Sequence, residues 1–592
     1  MSTSNVPFKA TLQVAHELLK GLDTPRSLAV AMLVDAYLND SYEPTRFNEE
    51  LKSLGFRVNW YDQFTIDKFR CDYQATVLLT KLPSPIKDDV RLRTAALSTL
   101  MESESESHVV NQNWSPASDF PPVFAELSEL GVPIERIRGV LVELLGRAPS
   151  YPTLFEELEW GTGASVCLNR KRSSAETKAE FGTSVTYRLA KVLDLYGFKH
   201  PLVNDRDAWS LVPGNLVDTV PKNMDTDRTV AMSADLNSLF QRAIGVRIQK
   251  RLSRWGINLK DQRLNQRACA RAHITLDATV DLKNASNKVL LYPIVQSFPN
   301  DWVELFLDTR EAYGTVLPRK AVNEKQYTRD DWFEYAMLSS MGNGFTFEVE
   351  TALFFTLCLC SGAEAWEINV YGDDIILPQR CVPLLARLLK VFGLSMNIEK
   401  SFVDGAFFES CGVYCFHGVD VTPFKIKDLL YGSKDGIILC NKIRMAAFTS
   451  RYHNGCDKRY LPAWQVCLHW LPVAVRRDCR GPVGSGCLLY VNRSEMRSLQ
   501  YSKKRGMLIT KQLVPRLEET EGFFPGIFPT RLWQSTREHT LEGSTDAYQF
   551  IDLERQLNGK NRGNTVKTQV IGWQLSHLFI YGDSWFDLGK WV

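Results

Sequence analysis

An excess of one charge is what this 592-residue sequence most plainly lacks: 70 Lys and Arg face 68 Asp and Glu, leaving a net charge of +2. Global charge therefore cannot hold a polyanion, and any nucleic acid must be gripped through local patches. Long apolar runs are missing as well. The greasiest stretch, "TALFFTLCLCSGAEAW" (351–366), is too short to cross a bilayer and runs into Glu364. The opening "MSTSNVPFKATLQVAHELLKGL" has no basic segment ahead of an apolar core, so no secretory leader is read there. The 13 cysteines are odd in number and scattered, which argues against a disulfide framework and for a reducing compartment. Cys and His between 453 and 480 lack the spacing of a structural zinc site. Repeats and long low-complexity tracts are absent too. The reading is a soluble, cytosolic protein with no membrane association.

What is present is ordinary globular composition, 44% hydrophobic and 23% charged, in a chain long enough for several domains. In the first 150 residues, "TLQVAHELLKGL", "PRSLAVAMLVDAYLND" and "DVRLRTAALSTLM" carry apolar residues at helical spacing. "MESESESH" (101–108) reads as a solvated loop or helix end. Residues 151 to about 270 are mixed, and from about 270 to 425 short strands alternate with helices, including the amphipathic "CVPLLARLLKVFG". Beyond 430 the chain is rich in Trp, Pro and Gly without a readable period.

Chemistry concentrates at "EINVYGDDIILPQ" (367–379). Trp366, Ile368 and Val370 share one parity, Gly372 allows a sharp turn, and Ile375, Ile376 and Leu377 follow, so the stretch reads as strand, tight turn, strand. Asp373 and Asp374 then sit together at the tip. Asp-rich turns are common in their own right, but paired carboxylates also suit a hard divalent cation. A third ligand is available upstream in "ITLDATVDLKNASNK", where Asp281 shares the parity of Thr279. Between them, "SSMGNGFTFEVETALFF" places a flexible Gly342–Gly344 loop before a helix, a form that can approach a phosphate or sugar closely. Lys222 and Arg228 lie on a short segment near Pro221, and cations there suit a triphosphate. From Arg242 to Arg271, nine Lys or Arg face one acid, Asp261, an imbalance suited to a nucleic-acid backbone.

In this order the motifs resemble those of RNA-dependent RNA polymerases, and in detail the replicase catalytic (beta) subunits of single-stranded RNA bacteriophages. The stretches that carry the resemblance are "TVPKN" with "TDR" (219–228), "GINLKDQRLNQR" (256–267), "ATVDL" (278–282), "SSMGNGFTFEVE" (339–350), "YGDDIILP" (371–378), and "ESCG" with "GVDVTPF" (409–424). They span roughly residues 160 to 425.

The resemblance implies an α+β right-hand polymerase whose antiparallel palm sheet is backed by helices. Its parts would be an N-terminal helical support (1–150), fingers with a nucleotide loop and the basic stretch (151–272), a palm (273–425), and a thumb with the C-terminal region (426–592). Asp281, Asp373 and Asp374 match the family's metal-binding aspartates, which would hold two Mg²⁺ ions, with Mn²⁺ able to substitute. Lys400 matches a lysine that protonates the departing pyrophosphate. Lys222 and Arg228 match triphosphate-holding cations, and Gly342, Asn343 and Thr346 a loop and helix supporting template and ribose. Ser286 and Asn287 fall beside the incoming sugar. Implied partners are RNA template and product, ribonucleoside triphosphates, the host elongation factors Tu and Ts, and a ribosomal protein, in a bacterial host's cytoplasm.

The sequence departs from the family at Asn287, where an acid is usual, and at Asp225 and Phe408, where basic residues are frequent. A reverse transcriptase, the nearest rival, screens the sugar with a bulky aromatic soon after the first aspartate, and "LKNASN" has none. A non-catalytic RNA-binding homologue is expected to have lost one of the three aspartates, and all are present.

Overall fold

Apolar residues three and four apart organise both ends of the chain. In the computed structural model, "TLQVAHELLKGL" lies in the helix Val6–Leu22, with Leu12, Ala15, Leu19 and Leu22 buried on one face. The structure describes residues 6–39, 44–56, 65–83, 89–115, 117, 121–170, 173–200, 203, 206–222, 226–450, 455–496, 500–520, 567–580 and 586–592. Asp225 and most of "YGDSWFD" (581–587), which echoes the Gly-Asp-Asp triplet without its second aspartate, lie outside these residues.

The chain forms two units. The first comprises 1–89, 221–226 and 421–592. Within it, Val6–Leu22 packs on Pro25–Asn39 and on Leu461–Trp470, and Ser433–Ser450 adds Ile443 and Ala447 to the same core. Each fully buried Leu or Ile there contributes about 1.5–3 kcal/mol. Four of the late tryptophans serve this core, Trp464 within it and Trp470, Trp573 and Trp591 packed against it. The fully buried Arg444 lies over the rings of Trp464 and Trp591, 5.7 and 4.4 Å from their centroids, and pairs with Glu495 at 3.1 Å. Strands Met507–Thr520 and Lys567–Ile580 form an antiparallel ladder.

The second unit comprises 90–220 and 227–420. A three-stranded antiparallel sheet runs Asp277–Val280, Asp374–Pro378, Asn369–Tyr371. Behind it the helix Arg263–Thr275 packs Ala268, Cys269 and Ala272 against Ile376, Phe408 and Cys415. Phe408, which departs from the basic residue expected there, is thus part of the apolar backing. The helix Thr346–Cys360 is apolar almost all round and correspondingly buried. This part also holds a four-stranded sheet (Asp227–Met232, Gly214–Pro221, Tyr313–Thr315, Phe333–Glu334), a three-stranded one (Phe407–Ser410, Val413–Phe416, Val419–Asp420) and a parallel pair (Ser184–Thr186, Ser210–Val212).

Three local readings are corrected. "MESESESH" is neither loop nor helix end: it lies inside the helix Asp89–Asn113, with Ser103, Glu104 and Ser107 buried. Glu104 Oε2 accepts the Ala336 N–H at 2.6 Å, so one face of the stretch is turned to the protein, while Glu102, Ser105, Glu106 and His108 are exposed as a solvated segment would be. Trp366 does not share a strand face, because Ala365–Glu367 is a 3₁₀ turn and its ring is 80% exposed. The Gly342–Gly344 loop is not slack. A Cβ on Gly342 would stand 2.2 Å from the Ala231 carbonyl, and one on Gly344 2.8 Å from the Arg242 nitrogen. No helix of the described residues is long and apolar enough to cross a membrane.

Candidate active site

Register brings the aspartates together. Val280 pairs with Ile375 and Thr279 with Ile376, so Asp281, one residue past its strand, comes opposite Asp374, the first residue of its own. Tyr371 pairs with Asp374, leaving Gly372 and Asp373 as the two-residue turn. Gly372 has φ +61°, donates its N–H to Thr351 Oγ1 at 3.1 Å, and packs so closely that a Cβ would meet the Phe347 ring at 2.2 Å. The hairpin tip is therefore seated on the helix Thr346–Cys360.

Two of the three carboxylates are held by partners of their own. Asp374 Oδ1 accepts the Cys411 N–H at 3.1 Å, and its carbonyl accepts from Asn265 at 3.1 Å. Asp281 Oδ2 accepts from Asn397 Nδ2 at 2.8 Å and lies 3.6 Å from Lys400 Nζ. Lys400 arrives there because the segment around 395–402 runs beside the Asp281 strand. Thr279 and Phe402 exchange backbone hydrogen bonds of 2.9 and 2.8 Å, and the Asn397 N–H donates to the Asp281 carbonyl at 2.8 Å. Lys400 remains 60% exposed.

Burial, then the nearby Asp374 and Asp281, push Asp373 up to about 6. Asp374 is likewise raised, first by burial, while the Cys411 N–H and Lys400 work in the opposite direction. Mutual destabilisation of neighbouring carboxylates is a charge deficit that a cation relieves, and an all-oxygen donor set suits Mg²⁺ or Mn²⁺. Among the described residues, however, no three His, Cys, Asp or Glu side chains already converge on one point.

Of the remaining candidates, Ser286 sits in the short 3₁₀ turn Ala285–Asn287 that also carries Asn287, and its Oγ donates to Glu350 Oε2 at 3.2 Å. Asn343 and Thr346 are buried: Asn343 Oδ1 accepts the Phe345 N–H at 3.0 Å, and Thr346 Oγ1 donates to the Ser340 carbonyl at 3.1 Å. Both side chains shape the loop that begins at Gly342. Arg228 is exposed on the strand Asp227–Met232, and Lys222 is exposed on the 221–226 segment of the other unit.

Two acids escaped the sequence reading. Glu350 is buried in the helix beside the hairpin, and burial followed by Asp373 raises it well above the carboxylate range. Glu311 is fully enclosed and accepts from the Ala234 N–H at 3.2 Å and from Gln241 Nε2 at 2.8 Å. Gln241 Oε1 in turn accepts the Gly344 N–H at 3.2 Å, so Glu311 fixes the amide that holds the glycine loop. The available signal for Glu350 was a pair of acids, Glu348 and Glu350, inside the largely apolar "TFEVETALFF"; Glu311 offered none.

The profile of the family "RNA replicase, beta-chain" matches residues 26–571. The RNA-directed RNA polymerase subunit beta of Escherichia virus Qbeta is 31% identical over 435 residues, covering 71% of this chain and 69% of that one. The RNA-directed RNA polymerase beta chain of Escherichia phage MS2 is 30% identical over 389 residues, 63% of this chain and 67% of that one. Among solved structures, the insertion loop deletion mutant of the RNA-dependent RNA polymerase of a human picorbirnavirus covers 72% of this chain and 83% of its own at 12% identity and TM-score 0.40, too distant a likeness to carry an argument. The family match and these relatives define an RNA-directed RNA polymerase, and its described residues form an α+β fold. The chain belongs to the RNA replicase beta-chain family of the RNA phages.

Proposed function

We propose that the chain replicates a positive-strand RNA genome by template-directed transfer of ribonucleotides at the 369–378 hairpin, with Asp281, Asp373 and Asp374 as ligands of two Mg²⁺ ions. The observation that carries this reading is the register that sets Asp281 opposite Asp374, with Asp373 in the adjoining turn. Bound there, the ions would place positive charge on the attacking and leaving oxygens of an in-line phosphoryl transfer. Raised to about 6, the Asp373 carboxyl is largely ionised at neutral pH, and a bound cation would favour that form further. Asn397 and Lys400 orient Asp281. Lys400, exposed beside Asp281, would protonate the departing pyrophosphate. Lys222 and Arg228 would steady the incoming triphosphate, while Gly342, Asn343 and Thr346 shape the wall against template and ribose.

The hairpin sheet and its helices form the palm in this reading (273–425), with 1–150 in support, 151–272 as fingers and 426–592 as thumb and C-terminal region. Replication would take place in the bacterial host's cytoplasm with elongation factors Tu and Ts and a ribosomal protein as partners. Labelled ribonucleotide incorporation on an RNA template with Mg²⁺ tests the activity. Asp373→Asn keeps the turn's shape and removes ligand charge, so incorporation should fall at least a hundredfold while the far-ultraviolet spectrum is unchanged. Normal turnover by that variant overturns the two-metal assignment. A preference of the parent for deoxynucleotides returns the reverse transcriptase, and no incorporation of either kind returns the non-catalytic homologue.

A further inference from the structure

The basic stretch Arg242–Arg271 is not one face. Arg242 is turned inward, where burial lowers its pKa, and Arg263 is tied to Asp261 at 2.7 Å. Four of the others, Arg247, Lys250, Arg251 and Arg254, follow helical spacing along the end of Asp235–Leu252 and its 3₁₀ extension Ser253–Trp255. All four line a cavity of about 710 Å³ in the second unit, and a fifth cation, Arg147, enters it from the loop after the helix Ile134–Leu145. None of the lining residues belongs to the carboxylate hairpin.

Cations at a helix C-terminus have an ordinary cause in the macrodipole. That cause explains neither Arg147, from a separate segment, nor the shared cavity. The acids nearby are largely committed. Glu157 takes Arg247 at 2.6 Å and Lys250 at 2.7 Å, Asp301 accepts the Ala148 N–H at 2.8 Å, and Asp308 accepts from the Tyr151 hydroxyl at 2.6 Å. Glu304 is exposed at the rim. Arg251 donates to the Arg147 carbonyl at 3.1 Å, which ties the two cationic segments together. Arg147 and Arg254 are exposed and make no ion pair among the described residues. On the same wall, Tyr196 is 48% exposed and packs on Tyr151 with ring centroids 4.9 Å apart, leaving an aromatic surface to the cavity.

We propose that this cavity is a second RNA site, taking the phosphates of a single strand along the Arg247–Arg254 stripe, with a base against Tyr196. The inference rests on the reading of the chain as a polymerase, because it assumes RNA as the polyanion at hand. Geometry favours a strand over a free nucleotide. The seven helical steps from Arg247 to Arg254 extend about 10 Å, a line suited to successive phosphates, whereas a triphosphate calls for donors converging on one point. Aromatic stacking without base-edge readout makes the site tolerant of sequence.

The test uses the full chain and a labelled single-stranded oligoribonucleotide, with affinity followed by anisotropy against salt. Arg147→Gln with Arg254→Gln should lower the slope of log affinity on log salt by about 1.4, two phosphate contacts at about 0.7 each. Tyr196→Ala should weaken binding severalfold at unchanged slope. Neutralising the exposed Lys320 and Lys390 together should leave the slope in place. Three results overturn the site: an unchanged slope in the arginine pair, an equal loss in the lysine pair, or displacement of the oligonucleotide by ATP from the parent but not from the arginine variant. Failure of the parent to incorporate nucleotides, with these binding effects intact, would count against the polymerase reading alone.

Discussion

Glu311 shows how one residue can govern a loop it does not touch. Its carboxyl oxygen accepts from Gln241, whose other end accepts from Gly344, so the acceptor fixes the amide's orientation. Burial, partly offset by the hydrogen bonds of Gln241 and Ser233, pushes it from the ordinary 4.5 up to about 7. The folded chain thus keeps a proton that the unfolded chain releases near 4.5. Stability from this group is complete below about 4.5 and is lost as pH rises to about 7, since the unfolded state binds fewer protons throughout that window. Glu311→Gln has no such titration. Between pH 5 and pH 8 the parent's urea midpoint should fall relative to the variant's, and parallel midpoints would show that Glu311 is ionised in the fold throughout. Ser286 makes a second residue-scale case. Its proton is committed to Glu350, so its oxygen is free to accept from a ribose 2′-hydroxyl. Ser286→Ala should lower discrimination of ATP against dATP about two- to tenfold, the worth of one hydrogen bond at roughly 0.5–1.5 kcal/mol. Equal loss on both substrates would make Ser286 a structural residue only.

At the scale of the element, the hairpin is a turn fitted to a ring. Gly372 combines φ +61° with a Cβ position 2.2 Å from Phe347, whereas Gly362, at φ +98°, has nothing within 4 Å. Gly362→Ala therefore meets backbone strain alone, about 1 kcal/mol, and should leave nucleotide incorporation intact. Gly372→Ala must also displace Phe347 or the turn, adding about 1–3 kcal/mol and moving Asp373, with incorporation down more than tenfold. Equal activity in the two variants would show that the ring yields without moving the turn. This hairpin was legible in the sequence because both its signals are local: alternating apolar residues and a Gly-Asp pair at a two-residue turn. Its alignment with Asp281 was legible through the family resemblance and not from propensity, since register between strands separated by 93 positions, from 281 to 374, depends on strand ends that propensity does not fix. Met101–His108 was misread for the same reason. Serines and glutamates look solvated until a distant segment, here Ala336, supplies the donor. Phe408 was legible as a departure from its relatives, but its place behind Ile376 depends on tertiary packing.

Over the whole molecule, long-range closure decides what local reading could not. The first unit is made of the chain's two ends, and its core draws on Leu12, Leu19, Ile443 and Cys467 together. No period in the sequence announces that union, because each helix shows only that it has an apolar face. The join is close. Gly21 has no room for a side chain: a Cβ would stand 2.0 Å from the Arg459 carbonyl oxygen, a backbone atom that cannot turn aside. Arg459 itself bridges the two ends, pairing with Asp67 at 2.7 Å and Asp457 at 2.6 Å. Gly21→Ala should therefore push the helix Val6–Leu22 away from the segment at 458–470 and open part of the shared core, at a cost of about 1–3 kcal/mol. Hydrogen exchange gives a local readout of this strain. Amides of Val6–Leu22 and Leu461–Trp470 should exchange about fivefold to a hundredfold faster, while those of Asp374–Pro378 in the other unit keep their protection. Unchanged protection in both helices would mean that the contact relaxes without cost, and equal loss in the hairpin would mean that the two units open as one.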